Sequence, residues 1–329
     1  MSLGELSTLL VWGATAAYAI GLVAFAVDLA RLADGAARPV RAGAVANARA
    51  GGGPVVPSAT GPAVGDPSGP EGVVTRAGRR AVGIAMATTG VGAVLHVAGT
   101  VLRGVAAERV PWANMYEFAL VGSLVAVLTF LALCRGRDLR FLGTIVIGIA
   151  VLALGLGLTA FYVPADAVEP ALQSYWLVIH VSIAVIATGL FTVAFAVSTL
   201  QLLKDSRASG SSRLAGSRWR MLDALPPAAE LEGLSFRINA VGFVLWTFTV
   251  MAGAIWAEQA WARYWGWDPK EVWSFVVWVV YAAYLHARTT RGWSGRRAAW
   301  FVVVGYATVI FNFTGVNLLF DGLHSYSGL

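Results

Sequence analysis

The sequence predicts an all-α integral membrane protein of about eight transmembrane helices, and three observations carry that expectation. Of the 329 residues, 57% are hydrophobic and only 13% charged, where a soluble domain carries about 25% charged residues. Apolar runs long enough to cross a bilayer, about 20 residues each, occur eight times. The basic residues fall on alternate connections between those runs. Mean hydropathy is +0.69, too apolar for a water-soluble globule of this length.

Taken in chain order, the expected spans are 7–27, 81–102, 118–134, 141–162, 175–203, 238–257, 272–288 and 298–317. No charged, cleavable leader pattern precedes the first run, which is therefore expected to stay as a helix. The stretches 28–80, 135–140, 204–237 and 288–297 hold 20 of the 24 Lys and Arg; only Arg103, Arg109, Arg263 and Lys270 lie on the other side. Because positive residues remain in the cytoplasm, both termini and the Trp261–Trp273 loop are expected to face outward. The net charge of +6 is thereby a matter of topology, and nucleic acid is excluded as a partner. The expected organisation is a first unit, 1–80, of one helix and a linker, followed by a seven-helix unit, 81–329. Residues 41–75, rich in Gly and Pro, are expected to be disordered, and a second linker lies near 204–217. The single Cys134 excludes an internal disulfide or a CxxC pair.

Chemistry is expected at the outer face. Each ionisable side chain at membrane depth is a functional candidate, and there are four histidines, His96, His180, His286 and His324. His180 lies near the outer end of the fifth run and His324 just beyond the eighth. They bracket "WARYWGWDPKEVW", Trp261 to Trp273, where aromatic rings crowd beside Arg263, Asp268, Lys270 and Glu271. An interfacial aromatic belt accounts for scattered Trp12, Trp112, Trp176 and Trp300, but not for this concentration. Paired neutral imidazoles are the usual axial ligands of haem iron, aromatic rings wall a macrocycle, and Arg263 or Lys270 would meet its propionates. A lone buried histidine is more often a helix–helix hydrogen bonder, and that is the expectation for His96.

The run "WAEQAWARYWGWDPKEVWSFVVWVVYAAYLHAR", with "PWANMYEF" upstream and "GLHSY" at the end, resembles the WWD haem-handling family of cytochrome c biogenesis, in its CcsA (ResC) branch of system II. The resemblance runs from about Arg103 to the C-terminus, with the WWD loop at about 256–273. It departs at Ala262, where the family usually has Gly. The resemblance implies that His180 and His324 hold haem b axially over a surface of Trp261, Tyr264, Trp265, Trp267 and Asp268. It implies that His286 serves an inner transmembrane haem site completed by a CcsB (ResB)-type subunit. It also implies an apocytochrome c bearing CxxCH as acceptor, thiol-reducing partner proteins, and thioether formation by a two-subunit haem lyase of the bacterial cytoplasmic membrane. Asn114 to Phe118 is open between helix-start packing and haem contact. Three rival readings are a system I haem-delivery protein, a transmembrane b-type cytochrome, and a solute transporter using His286 as a proton relay. The closing "GLHSY", the unexplained WWD loop and the scarcity of buried carboxylates weigh against them in turn.

Overall fold

The computed structural model describes residues 1–35, 70–165 and 173–324; the linker expected at 41–75 lies outside them. No strand occurs among the described residues. Eight long helices follow one another: α1 Leu3–Gly35, α2 Pro70–Ala106, α3 Met115–Gly136, α4 Gly143–Thr159, α5 Tyr175–Ala208, α6 Ala228–Trp261, α7 Pro269–Thr290 and α8 Arg296–Ile310. A π-helical turn at Phe311–Gly315 joins α8 to a last short helix, α9 Val316–Leu319.

Among the described residues, seven segments are long and apolar enough to cross a membrane, and α7 is the exception among the eight expected spans. The reason is composition. At 22 residues it is as long as α3, but Lys270, Glu271, His286, Arg288 and its Trp and Tyr residues dilute its hydropathy. Several expected boundaries are short, because α2, α5 and α6 run on past their apolar stretches into polar ends that hydropathy does not register, whereas the span expected at 141–162 is longer than α4.

The bundle is built from two halves. In the first, α1 packs along α2 and against α4, and Tyr18, Phe25, Leu120, Phe130 and Ile147 fill the space between them. In the second, α5 and α6 lie side by side with α7 and α8 behind, around Phe191, Trp246, Tyr281 and Tyr306. Contact between α3 and α5 seams the halves. The ring of Tyr281 stacks on Phe191 at 3.9 Å and 12°, a geometry that adds to simple burial.

The stretch near 204–217, expected as a plain linker, is folded. Lys204 donates to the carbonyls of Leu222 (3.1 Å) and Leu225, and Arg207 pairs with Asp223 at 2.7 Å. Leu214 and Leu222 are buried, and Trp219 packs on the first core. Gly and Ser suit the 3₁₀ turns of this stretch, so their abundance marks tight turns here.

A buried ion cluster orders the start of α3. Asn114 caps the helix by accepting from Glu117 N at 3.0 Å, as N-cap residues do. The Glu117 carboxylate, fully buried, binds Arg103 at 2.8 Å and Arg109 at 2.7 Å and accepts from Ala113 N at 2.8 Å. Helix-start packing is thus the observed role of Asn114 and Glu117. Removing one member of a buried charge cluster leaves uncompensated charge and costs about 3–5 kcal/mol. Glu117→Ala is expected to lower the thermal midpoint in detergent by many degrees. Asp138→Ala, which breaks the exposed Asp138–Arg140 pair, should cost under about 1 kcal/mol; equal shifts in the two melts would refute the assignment.

Candidate functional site

The end of the bundle where α3, α5 and α7 begin encloses a cavity of about 540 Å³, inside the about 300–1,000 Å³ typical of small-molecule sites. Its walls come from α3, α4, α5, α6, α7 and the α8–α9 segment, and both His180 and His324 line it. So do Tyr264, Trp265 and Lys270.

His180 sits in the first turns of α5, which starts at the N-cap Ser174. Its Nδ1 lies 2.8 Å from the carbonyl of Thr249 on α6. A carbonyl only accepts, so Nδ1 carries the proton and Nε2 is the basic nitrogen. Gly253 makes this approach possible: a Cβ there would meet the imidazole Cε1 at 2.7 Å and Nδ1 at 2.9 Å.

His324 is held the same way from another direction. Its Nδ1 lies 2.7 Å from Asp268 Oδ1, so Nδ1–H donates to the carboxylate and Nε2 is again the basic nitrogen. Asp268 is also the N-cap of α7, accepting from Lys270 N at 3.0 Å, while Glu271 reaches back to Asp268 N at 3.0 Å to complete a capping box. The other carboxylate oxygen accepts from Leu323 N at 2.7 Å. Gly322 permits that contact, since a Cβ would come within 2.5 Å of Asp268 Oδ2. Burial favours the neutral acid, but the hydrogen bond from His324, with the backbone donors of Lys270 and Leu323, outweighs it and holds the Asp268 carboxyl below its usual range.

Trp256 links the two imidazoles. It is 2% exposed, lies parallel to His180 at 6.2 Å and 12°, and meets His324 edge-on at 5.6 Å. Trp261, at the last turn of α6, meets His324 edge-on at 4.9 Å. The WWD loop is thus shorter than 256–273: Trp256 and Trp261 are helical, and only 262–268 form the connection. Trp267 is 77% exposed and touches the site through its edge contact with Trp265 at 5.8 Å. Arg263 is exposed and absent from the cavity wall, whereas Lys270 points into it.

The remaining histidines are placed differently. His96 is fully buried, with Nε2 2.9 Å from Leu120 O and Nδ1 3.3 Å from Tyr18 OH, so both nitrogens are engaged in helix packing. His286 is exposed on α7 toward its far end and does not line the cavity. Sequence reasoning missed Thr249, Gly253, Trp256 and Asn317. Trp256 lies inside the aromatic run and could have been found there; the others become visible only when α5, α6, α7 and α9 are brought together.

Comparisons with known proteins bear on this site. A family model described as Cytochrome C assembly protein matches residues 112–324. A cytochrome c biogenesis protein CcsA of Gloeobacter violaceus is 34% identical over 293 residues, covering 72% of this chain and 84% of the relative. CcsA proteins of Synechococcus sp. strains CC9605 and CC9902 are 37% and 36% identical, covering 83% and 86% of their own lengths and 71% and 74% of this chain. Among solved structures, the cytochrome c haem lyase CcmF aligns with a TM-score of 0.58 at 17% identity, over 100% of this chain and 49% of that one, a likeness of fold.

Two expectations follow. Ala262 closes α6 with φ of 55°, a left-handed conformation that costs a residue with a Cβ about 1 kcal/mol. Ala262→Gly should therefore raise stability by about that amount, read as a higher thermal midpoint; an unchanged or lower midpoint would deny the strain. Asp268→Asn keeps an N-cap acceptor but loses the charge on His324. Since the folded-state value of Asp268 is lowered, its contribution is full above about pH 4, the unfolded value, and fades as pH falls through the lower folded value. Wild-type protection of the 320–324 backbone from hydrogen exchange should hold from pH 8 to 5, and Asp268→Asn should lose it throughout. Protection unchanged in the variant would count against the anchor.

Proposed function

The chain belongs to the cytochrome c assembly protein family and is a multi-pass cytochrome c biogenesis protein of the CcsA type, and from that premise we propose that its cavity binds haem b for covalent attachment to apocytochrome c. The observation that carries this reading is the state of the two imidazoles. His180 and His324 each spend Nδ1 on a protein acceptor, which leaves two basic Nε2 atoms on one cavity wall system. That is the donor set for bis-imidazole iron. Trp256 and Trp265 supply apolar walls, Trp261 backs Trp256 and His324 from outside the lining, and Lys270 supplies a cation.

In this reading, the cavity end faces away from the cytoplasm, as do both termini, and the chain resides in the bacterial cytoplasmic membrane. The residues of this chain position the substrate and protect its iron from oxygen; the reactive vinyl groups belong to the haem. Each thiol of a CxxCH segment adds across one vinyl group, with sulfur bonded to carbon and hydrogen to its neighbour. Displacement of one imidazole by the acceptor histidine would release the product. Neither thiol comes from this chain, whose only cysteine, Cys134, lies at the opposite end of α3, so reduced thiols depend on separate thiol-reducing proteins.

His286 fits an inner site of a different kind. Its exposure on α7 leaves the ring open to a ligand from a second membrane subunit of the CcsB type, which would complete the coordination and the lyase complex. A system I delivery role shares the aromatic surface, but the relatives covering most of this chain are CcsA proteins.

Protein purified in detergent is expected to show a haem absorbance band that weakens in both His180→Ala and His324→Ala, with imidazole added to the buffer restoring it. A band indifferent to both substitutions would exclude the outer site. A strain lacking the gene should fail to mature its c-type cytochromes; normal haem staining of those proteins would end the biogenesis reading for this chain.

A further inference from the structure

The cavity walls divide by chemistry. Lys270 and Ser274 of α7, Asn312 of the π-helical turn and Asn317 of α9 line one side. Phe118 and Gly122 of α3 and Ile149 and Leu156 of α4 line another. The α4 wall belongs to the half of the bundle built on α1 and α3, and the α7 wall to the half built on α6 and α8; Phe118 lies between them, 5.8 Å from Phe313 of the π-helical turn.

The two walls also differ in what they leave unsatisfied. On the apolar side, Asn114 Oδ1 accepts from Glu117 N and Ser123 Oγ donates to Ala119 O, so each is served within its own helix. On the polar side, Lys270 Nζ donates to Asn312 O at 2.6 Å and to Asn317 Oδ1 at 3.0 Å. Both acceptors are neutral. An ammonium has three protons, and among the described residues Lys270 forms no ion pair. Of the nearby carboxylates, Asp268 is spent on Leu323 N and His324, while Glu271 spends Oε2 on Gly266 N and Asp268 N and keeps Oε1 without a hydrogen-bond partner. Asn312 is 5% exposed, and its Oδ1 has no partner. A buried polar atom without a partner on the wall of a cavity is a place for a ligand to bind.

We propose that Lys270, Asn312 and Asn317 form a carboxyl-binding wall that takes both propionates of haem and so turns its vinyl edge away from α7, toward α4. This rests on the haem reading of the cavity. The unspent Lys270 proton suits a carboxylate oxygen. The Asn312 amide oxygen suits the O–H of the second carboxyl group, held in its acid form by the low-polarity surroundings. In protohaem the two propionates share one edge and the vinyl groups lie toward the other. Fixing the carboxyl edge therefore assigns the direction from which the thiols of the acceptor must approach, past Trp112 and Ala113 at the mouth of α3.

The test uses the full chain in detergent with two probes, ferric protohaem and its dimethyl ester. Wild type is expected to bind the free acid at least about tenfold more tightly, the worth of one charge-assisted hydrogen bond. Lys270→Met should abolish that preference and Lys270→Arg should retain it. If wild type binds neither probe, the haem reading itself fails. If it binds both equally, or if Lys270→Met keeps the preference, only the carboxyl wall fails. A second arm reads orientation directly in a Cys134→Ser background, which removes the only native thiol. With ferrous haem, a thiol at Ala113→Cys should add across a vinyl group, its sulfur to one carbon and its hydrogen to the other, with no net oxidation. Covalent haem should then survive denaturing electrophoresis. Thr314→Cys, on the π-helical turn, should remain unlabelled. Labelling at Thr314→Cys, or at neither position, would overturn the assigned orientation.

Discussion

The carboxylate of Asp268 is the constraint on which the site depends. Three groups from two segments far apart in the chain converge on it: Lys270 N of the first turn of α7, and Leu323 N and the His324 imidazole of the C-terminal segment. It ends the WWD loop by capping a helix, and with the same atoms it fixes the tautomer of a ligand-type histidine. Pro269 helps by occupying the first helical position, where a missing N–H costs nothing. Without that carboxylate, the segment carrying His324 would have one backbone bond fewer and its ring no stated direction. An aspartate is better suited than a longer acid, because a short side chain must reach both its own helix N-terminus and a neighbouring strand of chain.

His180 obtains the same result by different means. Its acceptor is a main-chain carbonyl inside α6, which already belongs to the helix ladder and uses its second lone pair for the imidazole. The arrangement needs no acid at membrane depth, where an unpaired carboxylate would be costly. It does need the helices close together, and Gly253 supplies that closeness. The two imidazoles are therefore alike in protonation and unlike in support: His180 is fixed by rigid helix packing, His324 by a solvent-near charge pair at the end of the chain. The proposed exchange of one axial ligand would fall more easily on His324, whose support is local.

Much of the fold was legible in the sequence because hydropathy and charge placement are local properties. Eight apolar runs became eight long helices, and the basic stretches mark their ends. The composition of α7 blurred one of them, since residues that serve the site, Lys270 and Glu271 among them, lower its hydropathy. The Gly/Ser stretch near 204–217 misled for a related reason: composition cannot distinguish a flexible linker from tight turns pinned by Lys204 and Arg207. At the site, His180, His324, Trp261, Trp265, Asp268 and Lys270 were nameable because they are unusual residues in an apolar chain. Thr249 and Gly253 were not, because a threonine carbonyl and a helical glycine gain meaning only from what packs against them. Trp267 and Arg263 show the converse, being conspicuous in the motif and exposed in the fold.

The two groups of charge at this end of the bundle separate structural from functional polarity. Around Glu117 both carboxylate oxygens are answered by Arg103, Arg109 or a backbone donor, and the charges are paired even though Arg103 Nη1 has no hydrogen-bond partner. Around Lys270 the count does not close: an ammonium faces two neutral oxygens, and Asn312 keeps an unanswered amide oxygen. Both clusters carry the desolvation cost of burying charge, but among the described residues only the charge of the second lacks an ion partner. A cluster left incomplete on the wall of a cavity, beside two imidazoles with free Nε2 atoms, has the form of a surface whose missing partner arrives with the ligand.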